Sequence, residues 1–276
     1  MKTHPIAKIN LGLYVTEKRP DGYHNLETVF YPIPIHDELE VEEANEDSFT
    51  LVGFHLEGDP MDNLVMRVLR NLRQNFSIPP VSVRLSKGIP SGAGMGGGSS
   101  DAAYMMRMLN EMFSLGLTDD EMEQRIAPLG ADCAFFIRQR PVLATGIGNV
   151  FAPIKANLSG YALVLIKPDD FVSTKEAYSL VSPKQPAEPL TTTMQRPIEE
   201  WREHMHNDFE LSVFAAHPTI EAVKQQLYDI GATYALMSGS GSTVFALFKP
   251  ADINKEEIEA NFKEHFVYIA TLGEIN

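Results

Sequence analysis

The pattern of apolar and polar positions predicts both strands and helices in the first half of the chain. Apolar residues alternate loosely along residues 6–15, as in a half-buried strand. Leu64, Val68 and Leu72 recur at helical spacing and predict a helix over residues 63–76. Further strands are predicted over residues 28–35, 39–43, 80–86 and 141–145, with breaks at Pro32 and Pro34, and further helices over residues 101–113 and 118–127.

The second half predicts elements in the order β-α-β-β-α-β. An apolar run at residues 161–167 is typical of a buried strand, and the prolines of residues 182–197 predict a loop or insertion. The other predicted elements are helices at residues 173–180, 220–230 and 253–262 and strands at residues 234–237, 244–248 and 268–272. This order is typical of a ferredoxin-like domain. We place a domain boundary near residue 153, which gives domains of residues 1–152 and 153–276.

The segment richest in chemical information is residues 89–103, IPSGAGMGGGSSDAA, where a glycine run leads into a helix-forming sequence. Glycine accepts positive φ and has no Cβ, so backbone N–H groups can converge on one anion. Ser99, Ser100 or Asp101 is predicted to cap the following helix, whose N–H groups and positive dipole end would face the loop. The segment therefore predicts a phosphate-binding loop.

Two common phosphate motifs fit this loop less well. A P-loop closes on Gly-Lys-Ser/Thr, and this run contains no lysine. Gly92, Gly94 and Gly97 satisfy the dinucleotide-binding spacing, but so many glycines satisfy almost any spacing. The acidic partner of the ribose would be Asp119 or Asp120, which lie at a predicted helix start rather than at a strand end. NAD binding is therefore the weaker interpretation.

Composition and charge limit the partners. A net charge of −14 disfavours nucleic acid as a partner, and an anionic nucleotide needs concentrated cations, for which Lys8, Lys87 and Mg²⁺ are candidates. The single cysteine, Cys133, excludes an intrachain disulfide and favours a cytoplasmic location. The N-terminus does not resemble a signal peptide, and no apolar run reaches the roughly 20 residues that span a bilayer.

Three segments in order resemble the signatures of the GHMP kinases, the superfamily of galactokinase, homoserine kinase and mevalonate kinase. Residues 5–15 (PIAKINLGLYV) are similar to the first signature, the glycine run to the second and residues 237–246 (MSGSGSTVFA) to the third. Residues 19–28 (RPDGYHNLET) and 130–136 (GADCAFF) resemble the branch that acts on a cytidine diphosphate-linked methylerythritol in isoprenoid biosynthesis. The resemblance covers nearly the whole chain.

The resemblance implies an α+β, two-domain GHMP kinase fold with a left-handed βαβ unit in the N-terminal domain and a ferredoxin-like C-terminal domain. It implies phosphorylation of the 2-hydroxyl of the small cytidyl substrate by ATP with Mg²⁺. We expect a monomer or weak homodimer with no nucleic-acid or membrane partner.

The resemblance also assigns catalytic residues. By itself, an aspartate placed like Asp132, before the apolar residues 133–137, is typical of a helix cap, and a lone lysine such as Lys8 is typical of an edge strand. A carboxylate in apolar surroundings needs a cation or becomes protonated, and Lys8 is the candidate cation. In the family, the aspartate that matches Asp132 takes the substrate proton, the lysine that matches Lys8 stabilises the phosphoryl charge, and Asn10 would orient both.

Further site residues follow from the same resemblance. Tyr23 would stack on cytosine and His24 would bind its edge, with Tyr178 as a second aromatic and Gly239 and Ser240 closing over the substrate. The implied ATP-binding residues are Asn63, Lys87, Pro90, Gly92, Gly94, Gly96, Gly97, Gly98, Ser99 and Ser100. Asn63 could instead be a helix cap, and Lys87 could instead be a lysine of a loop.

A protein metal site is weakly indicated. His204, His206 and Asp208 could suggest a metal site, but side chains two residues apart on a helix point in different directions. No acidic residue clearly binds Mg²⁺, so ATP and Ser99 or Ser100 would hold the ion.

Other functions stay open. The acceptor could be homoserine or mevalonate, although Tyr23 and His24 would then have no base to bind. The chain could instead be a non-catalytic nucleotide-binding protein or an NAD-dependent oxidoreductase.

Overall fold

The computed structural model describes residues 1–54 and 59–274. The strands are β1 (Lys2–Thr3), β2 (Ile6–Lys18), β3 (His24–His36), β4 (Glu38–Glu43), β5 (Ser48–Gly53), β6 (Val81–Lys87), β7 (Val142–Thr145), β8 (Val150–Pro153), β9 (Ala162–Lys167), β10 (Tyr234–Met237), β11 (Val244–Phe248) and β12 (Phe266–Thr271). The helices are α1 (Leu64–Arg73), α2 (Gly97–Met112), α3 (Asp119–Ile126), α4 (Phe135–Arg138), α5 (Thr174–Ala177), α6 (Leu190–Thr193), α7 (Trp201–His204), α8 (Glu210–Ala216), α9 (Pro218–Asp229) and α10 (Lys255–Asn261). Short 3₁₀ turns lie at Pro60–Asp62, Ala127–Leu129 and Ile198–Glu200.

The chain divides into two compact units. The first unit consists of Met1–Ala7, Ile35–Ser91 and Gly96–Gln139, and the second of Lys8–Pro34, Gly92–Met95 and Arg140–Asn276. Each unit combines segments that are distant in sequence. The boundary near residue 153 stays a prediction.

The first unit contains a sheet in the order β1-β4-β6-β5. The strands β5 and β6 pair in parallel, and α1 connects them in a βαβ unit. The helices α1 and α2 pack together, and α2 buries a row of small and apolar side chains that includes Ala102, Met105 and Leu109. Core packing thus accounts for its methionines.

The second unit contains two sheets, in the orders β2-β3-β7-β8 and β10-β11-β9-β12. All pairs in the latter sheet are antiparallel, with β9 between β11 and β12. This is the order of a ferredoxin-like β-α-β-β-α-β domain, as the sequence predicts. Apolar residues from β9, β11 and α9, such as Val164, Ala246 and Leu227, form its core.

The structure differs from the sequence predictions at specific places. The strand β3 continues through Pro32 and Pro34, because it pairs with β7 only over Thr28–Phe30 and no ladder bond to β7 is needed from the prolines. The strand β5 was not predicted, although the apolar residues Phe49 and Leu51 alternate with the polar residues Ser48 and Thr50. Residues 182–197 are irregular apart from α6.

Candidate functional site

Lys8 lies in β2 and is buried, with 3% of its surface exposed. Its Nζ donates to Asn10 Oδ1 at 2.6 Å and to the carbonyl oxygen of Gly94 at 3.1 Å. The ammonium group also lies 4.8 Å from the centroid of the Phe30 ring. Lys8 is therefore held inside the second unit and does not extend into solvent as an edge-strand lysine would.

Asn10 orients this lysine from two residues along the same strand face. Its Nδ2 donates to Thr28 Oγ1 at 2.9 Å, which leaves Oδ1 to accept from Lys8. Its backbone N–H donates to Ser238 Oγ at 3.3 Å. The amide orientation is thus fixed by neighbours on both sides.

Gly94 connects the glycine run to the third predicted signature. Ser238 Oγ donates to the carbonyl oxygen of Gly94 at 2.9 Å. A Cβ on Gly94 would lie 2.0 Å from the carbonyl oxygen of Ser238, and its φ is +71°. Only glycine fits here. Residues of the three predicted signatures, Lys8, Gly94 and Ser238, therefore meet within hydrogen-bond distance in the second unit.

Asn207 supports the turn that carries Gly239 and Ser240. Its side chain is buried, and Nδ2 donates to the carbonyl oxygens of Met237 and Gly239, both at 2.8 Å. Sequence reasoning missed this role of Asn207, because Met237 and Gly239 lie 30 and 32 residues away along the chain.

The predicted cytosine-binding residues include an aromatic stack. The His24 and Tyr178 rings lie 4.7 Å apart with 22° between their planes, and Tyr178 meets the edge of Phe209 at 4.7 Å. Burial raises the pKa of Tyr178. The Tyr23 side chain is 62% exposed and is available for stacking on a ligand. The structure brings His24 and Tyr178 together.

In the first unit, the glycine run enters α2 differently from the prediction. The N-cap is Gly96 in the left-handed conformation, and in the described structure no side chain caps the helix. The prediction that Ser99, Ser100 or Asp101 caps α2 is wrong, because Gly97 and Gly98 already belong to the helix. Backbone N–H groups of the first turn thus remain available to an anion.

Lys87 ends β6 inside a buried ion cluster. Its Nζ donates to Asp101 Oδ2 at 2.7 Å and to Asp37 Oδ2, while Asp37 Oδ1 accepts the N–H groups of Gly88 and Ile89, each at 2.7 Å. Burial raises the pKa of Asp101 to about 8, against the lowering effect of Lys87. Burial alone would lower the pKa of Lys87, but Asp101 and Asp37 together raise it. Lys87 is not a loop lysine.

The remaining predicted residues occupy well-defined positions. Asn63 Oδ1 accepts the N–H of Val65 at 3.0 Å and caps α1. Asp132 lies half-buried in the turn before α4, whose N-cap is Ala134, so Asp132 is not the helix cap. Pro90 is buried.

A protein-held metal cluster is not part of the described structure. Among residues 1–54 and 59–274, no three His, Cys, Asp or Glu side chains are grouped so that they could hold a metal ion. His206 lies beyond the end of α7, so it does not share a helix with His204 as predicted, and its Nε2 contacts Asp208 Oδ1 at 3.0 Å. No helix in the described part of the chain is long and apolar enough to cross a membrane.

Comparisons with known proteins agree with these observations. The family models for the GHMP kinase N-terminal and C-terminal domains match residues 63–140 and 191–267. The chain is 54% identical over 267 residues to 4-diphosphocytidyl-2-C-methyl-D-erythritol kinase of Bacteroides fragilis, covering 95% of this chain and 97% of that protein. It is 48% identical over 249 residues to the kinase of the same name from Cytophaga hutchinsonii, covering 90% and 92%.

Solved structures give the same result. A crystal structure of 4-(cytidine 5'-diphospho)-2C-methyl-D-erythritol kinase matches with a TM-score of 0.83 and 30% identity over the full length of both chains. The homoserine kinase of Cytophaga hutchinsonii matches with a TM-score of 0.66 and 18% identity over 97% of this chain and 94% of that one, which shows a shared fold alone.

Proposed function

Because this chain belongs to the GHMP kinase family, we propose that it phosphorylates 4-diphosphocytidyl-2-C-methyl-D-erythritol with ATP, in isoprenoid precursor biosynthesis. The γ-phosphoryl group moves from ATP to the 2-hydroxyl oxygen of the acceptor, and ADP and the 2-phosphate are the products. The observation that carries the proposal is the 54% identity, over 95% of the chain, to a kinase of that name.

Lys8 and Asp132 are the proposed catalytic residues. The Asp132 carboxylate accepts the proton of the 2-hydroxyl as its oxygen bonds to phosphorus. Lys8 stabilises the charge on the transferred phosphoryl group. The contact from Asn10 Oδ1 to Lys8 Nζ supports an orienting role for Asn10. The contacts with Asn10 Oδ1 and the Gly94 carbonyl oxygen direct the ammonium group of this lysine.

The proposed ATP site uses the glycine run and the start of α2. The uncapped first turn of α2 supports phosphate binding through backbone N–H groups. Asn63, Lys87 and Pro90 remain proposed adenosine-side residues, and Gly92 to Ser100 the proposed phosphate side.

Mg²⁺ is the proposed cofactor, carried by the nucleotide. Mg²⁺ in kinases takes one or two protein oxygen atoms together with phosphates and water, so a dense cluster of protein ligands is not required. Ser100 Oγ is buried in the first turn of α2 and has no hydrogen-bond partner within the described residues. Ser100 or Ser99 would hold the ion, which neutralises phosphate charge when bound.

For the acceptor, we propose that Tyr23 and Tyr178 stack on cytosine and that His24 bonds to its edge, with Gly239 and Ser240 near the substrate. The aromatic contact between His24 and Tyr178 supports this assignment. We also propose the domain boundary near residue 153, a cytoplasmic location and a monomer or weak homodimer.

The acceptor is tested by ADP release and by ³¹P NMR of the product with the cytidyl substrate, mevalonate and homoserine in parallel. We expect turnover with the cytidyl substrate alone and a new phosphomonoester signal. Turnover only with mevalonate or homoserine would keep the family and overturn the acceptor. ATP binding without turnover would favour a non-catalytic nucleotide-binding protein.

A further inference from the structure

His217 lies between two carboxylates in the second unit. Its Nδ1 is 3.0 Å from Asp170 Oδ1, and its Nε2 is 3.1 Å from Glu176 Oε1. A neutral imidazole carries one N–H and would turn a lone pair toward one of these oxygens. The imidazolium donates from both nitrogens, so the geometry is that of a charged histidine with two charge-assisted hydrogen bonds. We call these three residues the His217 bridge.

The bridge connects three elements. His217 is the N-cap of α9. Glu176 belongs to α5, and Tyr178 is the C-cap of that helix. Asp170 follows β9, and its backbone carbonyl accepts the Ser242 hydroxyl at 2.7 Å. The segment that carries Tyr178 is therefore attached both to α9 and to the third glycine-rich turn.

Resting on the proposed function, in which Tyr178 contacts cytosine, we propose that His217 is a positioning residue for the cytidyl substrate. The charged imidazole holds Asp170 and Glu176, and thereby keeps α5 and the Tyr178 ring against His24. When the bonds from His217 to Asp170 and Glu176 are removed, the α5 segment loosens. Affinity for the cytidyl group then falls while the phosphoryl transfer step is unchanged.

The charged surroundings of the bridge are simple. Asp170 from the segment after β9 and Glu176 from α5 face the imidazole. Lys167 Nζ donates to the carbonyl oxygens of Pro168 and Asp170, at 2.7 and 3.4 Å. On the neighbouring helices, Glu210 of α8 is paired with Lys224 of α9.

The test is His217→Phe, which keeps a ring and removes both donors. We expect KM for the cytidyl substrate to rise about tenfold, as for the loss of a charge-assisted hydrogen bond, with kcat and the KM for ATP near wild type. His206→Phe is the matched control, since His206 contacts one carboxylate outside the segment, and its KM should stay at the wild-type value.

Hydrogen exchange of substrate-free protein gives a readout independent of activity. Amides of residues 170–178 should exchange faster in His217→Phe than in wild type or His206→Phe. If His217→Phe does not fold, Glu176→Gln takes its place, because it keeps the His217 ring. Its KM for the cytidyl substrate and its exchange rates should change in the same direction, but by less. Unchanged exchange and unchanged KM in the folded variant would overturn the inference.

Calorimetry with cytidine diphosphate separates this inference from the proposed function. If wild type binds no cytidine diphosphate and shows no turnover, the proposed function fails and the role of His217 in substrate binding fails with it. If wild type binds and turns over normally while His217→Phe binds cytidine diphosphate equally well, only the inference on His217 is wrong.

Discussion

Two buried lysines, Lys8 and Lys87, belong to different units and have different partners. Lys8 donates to an amide oxygen of Asn10 and a backbone carbonyl of Gly94. Lys87 donates to the carboxylates of Asp37 and Asp101. Both side chains are buried, so burial alone does not distinguish a reactive lysine from a structural one.

The two lysines also differ in the segments that their hydrogen bonds join. Lys8 contacts Asn10 of its own strand and Gly94 of the glycine run, whereas Lys87 joins Asp37 and Asp101. In the Lys87 cluster, burial raises the pKa of Asp101 to about 8, and the ammonium group of Lys87 opposes this rise. Lys87 therefore joins β6, Asp37 and α2. Its proposed contact with ATP stays a prediction.

The largest expected effect is on folding stability in Lys87→Met. The Asp37 carboxylate would remain buried without its cation, which costs about 3–5 kcal/mol in the free energy of unfolding. Urea denaturation measures this loss. The control is Lys249→Met, which removes an exposed ion pair with Glu199 and should leave the free energy of unfolding near the wild-type value. Equal losses in the two variants would contradict a structural role for Lys87.

The next effect is on turnover in Lys8→Met. Removal of one charge that stabilises the transition state lowers kcat by about 10²–10³-fold. Single-turnover kinetics at saturating ATP and acceptor measure the chemical step, with circular dichroism as the check on folding. A kcat within a few-fold of wild type would remove Lys8 from the proposed mechanism.

A smaller effect separates close approach from backbone conformation at two glycines. Gly94 and Gly116 have φ of +71° and +73°, but a Cβ would contact Ser238 only at Gly94, while nothing lies within 4 Å at Gly116. Gly116→Ala should cost about 1–2 kcal/mol from the left-handed conformation. Gly94→Ala should cost about 1–3 kcal/mol more from the contact. Equal free energies of unfolding in the Gly94→Ala and Gly116→Ala variants would show that the backbone at Ser238 moves to accommodate the added Cβ without a measurable loss of stability.

A pH-dependent effect on the free energy of unfolding concerns Asp101. Its pKa rises from 3.8 to about 8 on folding, so between these values the native protein holds one more proton than the unfolded chain. The free energy of unfolding should therefore fall as pH rises from about 4 to about 8, by at most about 1.4 kcal/mol per unit. Asp101→Asn should flatten this slope in denaturation curves at several pH values. An unchanged slope would assign the titration to another group.

The sequence predicted what depends on local pattern. Most strands and helices, the ferredoxin-like order of β9 to β12 and the family follow from periodicity and short motifs. The prediction of the α2 N-cap was wrong because several small polar residues in the segment can cap a helix. The position of the cap at Gly96 depends on the path of the loop.

Contacts between distant residues were beyond the sequence. Asp37 lies 50 residues from Lys87, and nothing in either segment indicates the pairing. Asn207 was missed for the same reason. Conversely, the contact of Lys8 with Asn10 is local, since the two residues lie two positions apart on β2.

The most direct test of this account is the kcat for ADP release with 4-diphosphocytidyl-2-C-methyl-D-erythritol, measured for wild type, Lys8→Met and Lys87→Met and normalised to the folded fraction of each sample. The account predicts that wild type turns over and that Lys8→Met loses about 10²–10³-fold in kcat, whereas Lys87→Met loses mainly folded protein. A Lys8→Met enzyme as active as wild type, or no turnover of this acceptor by wild type, would contradict it.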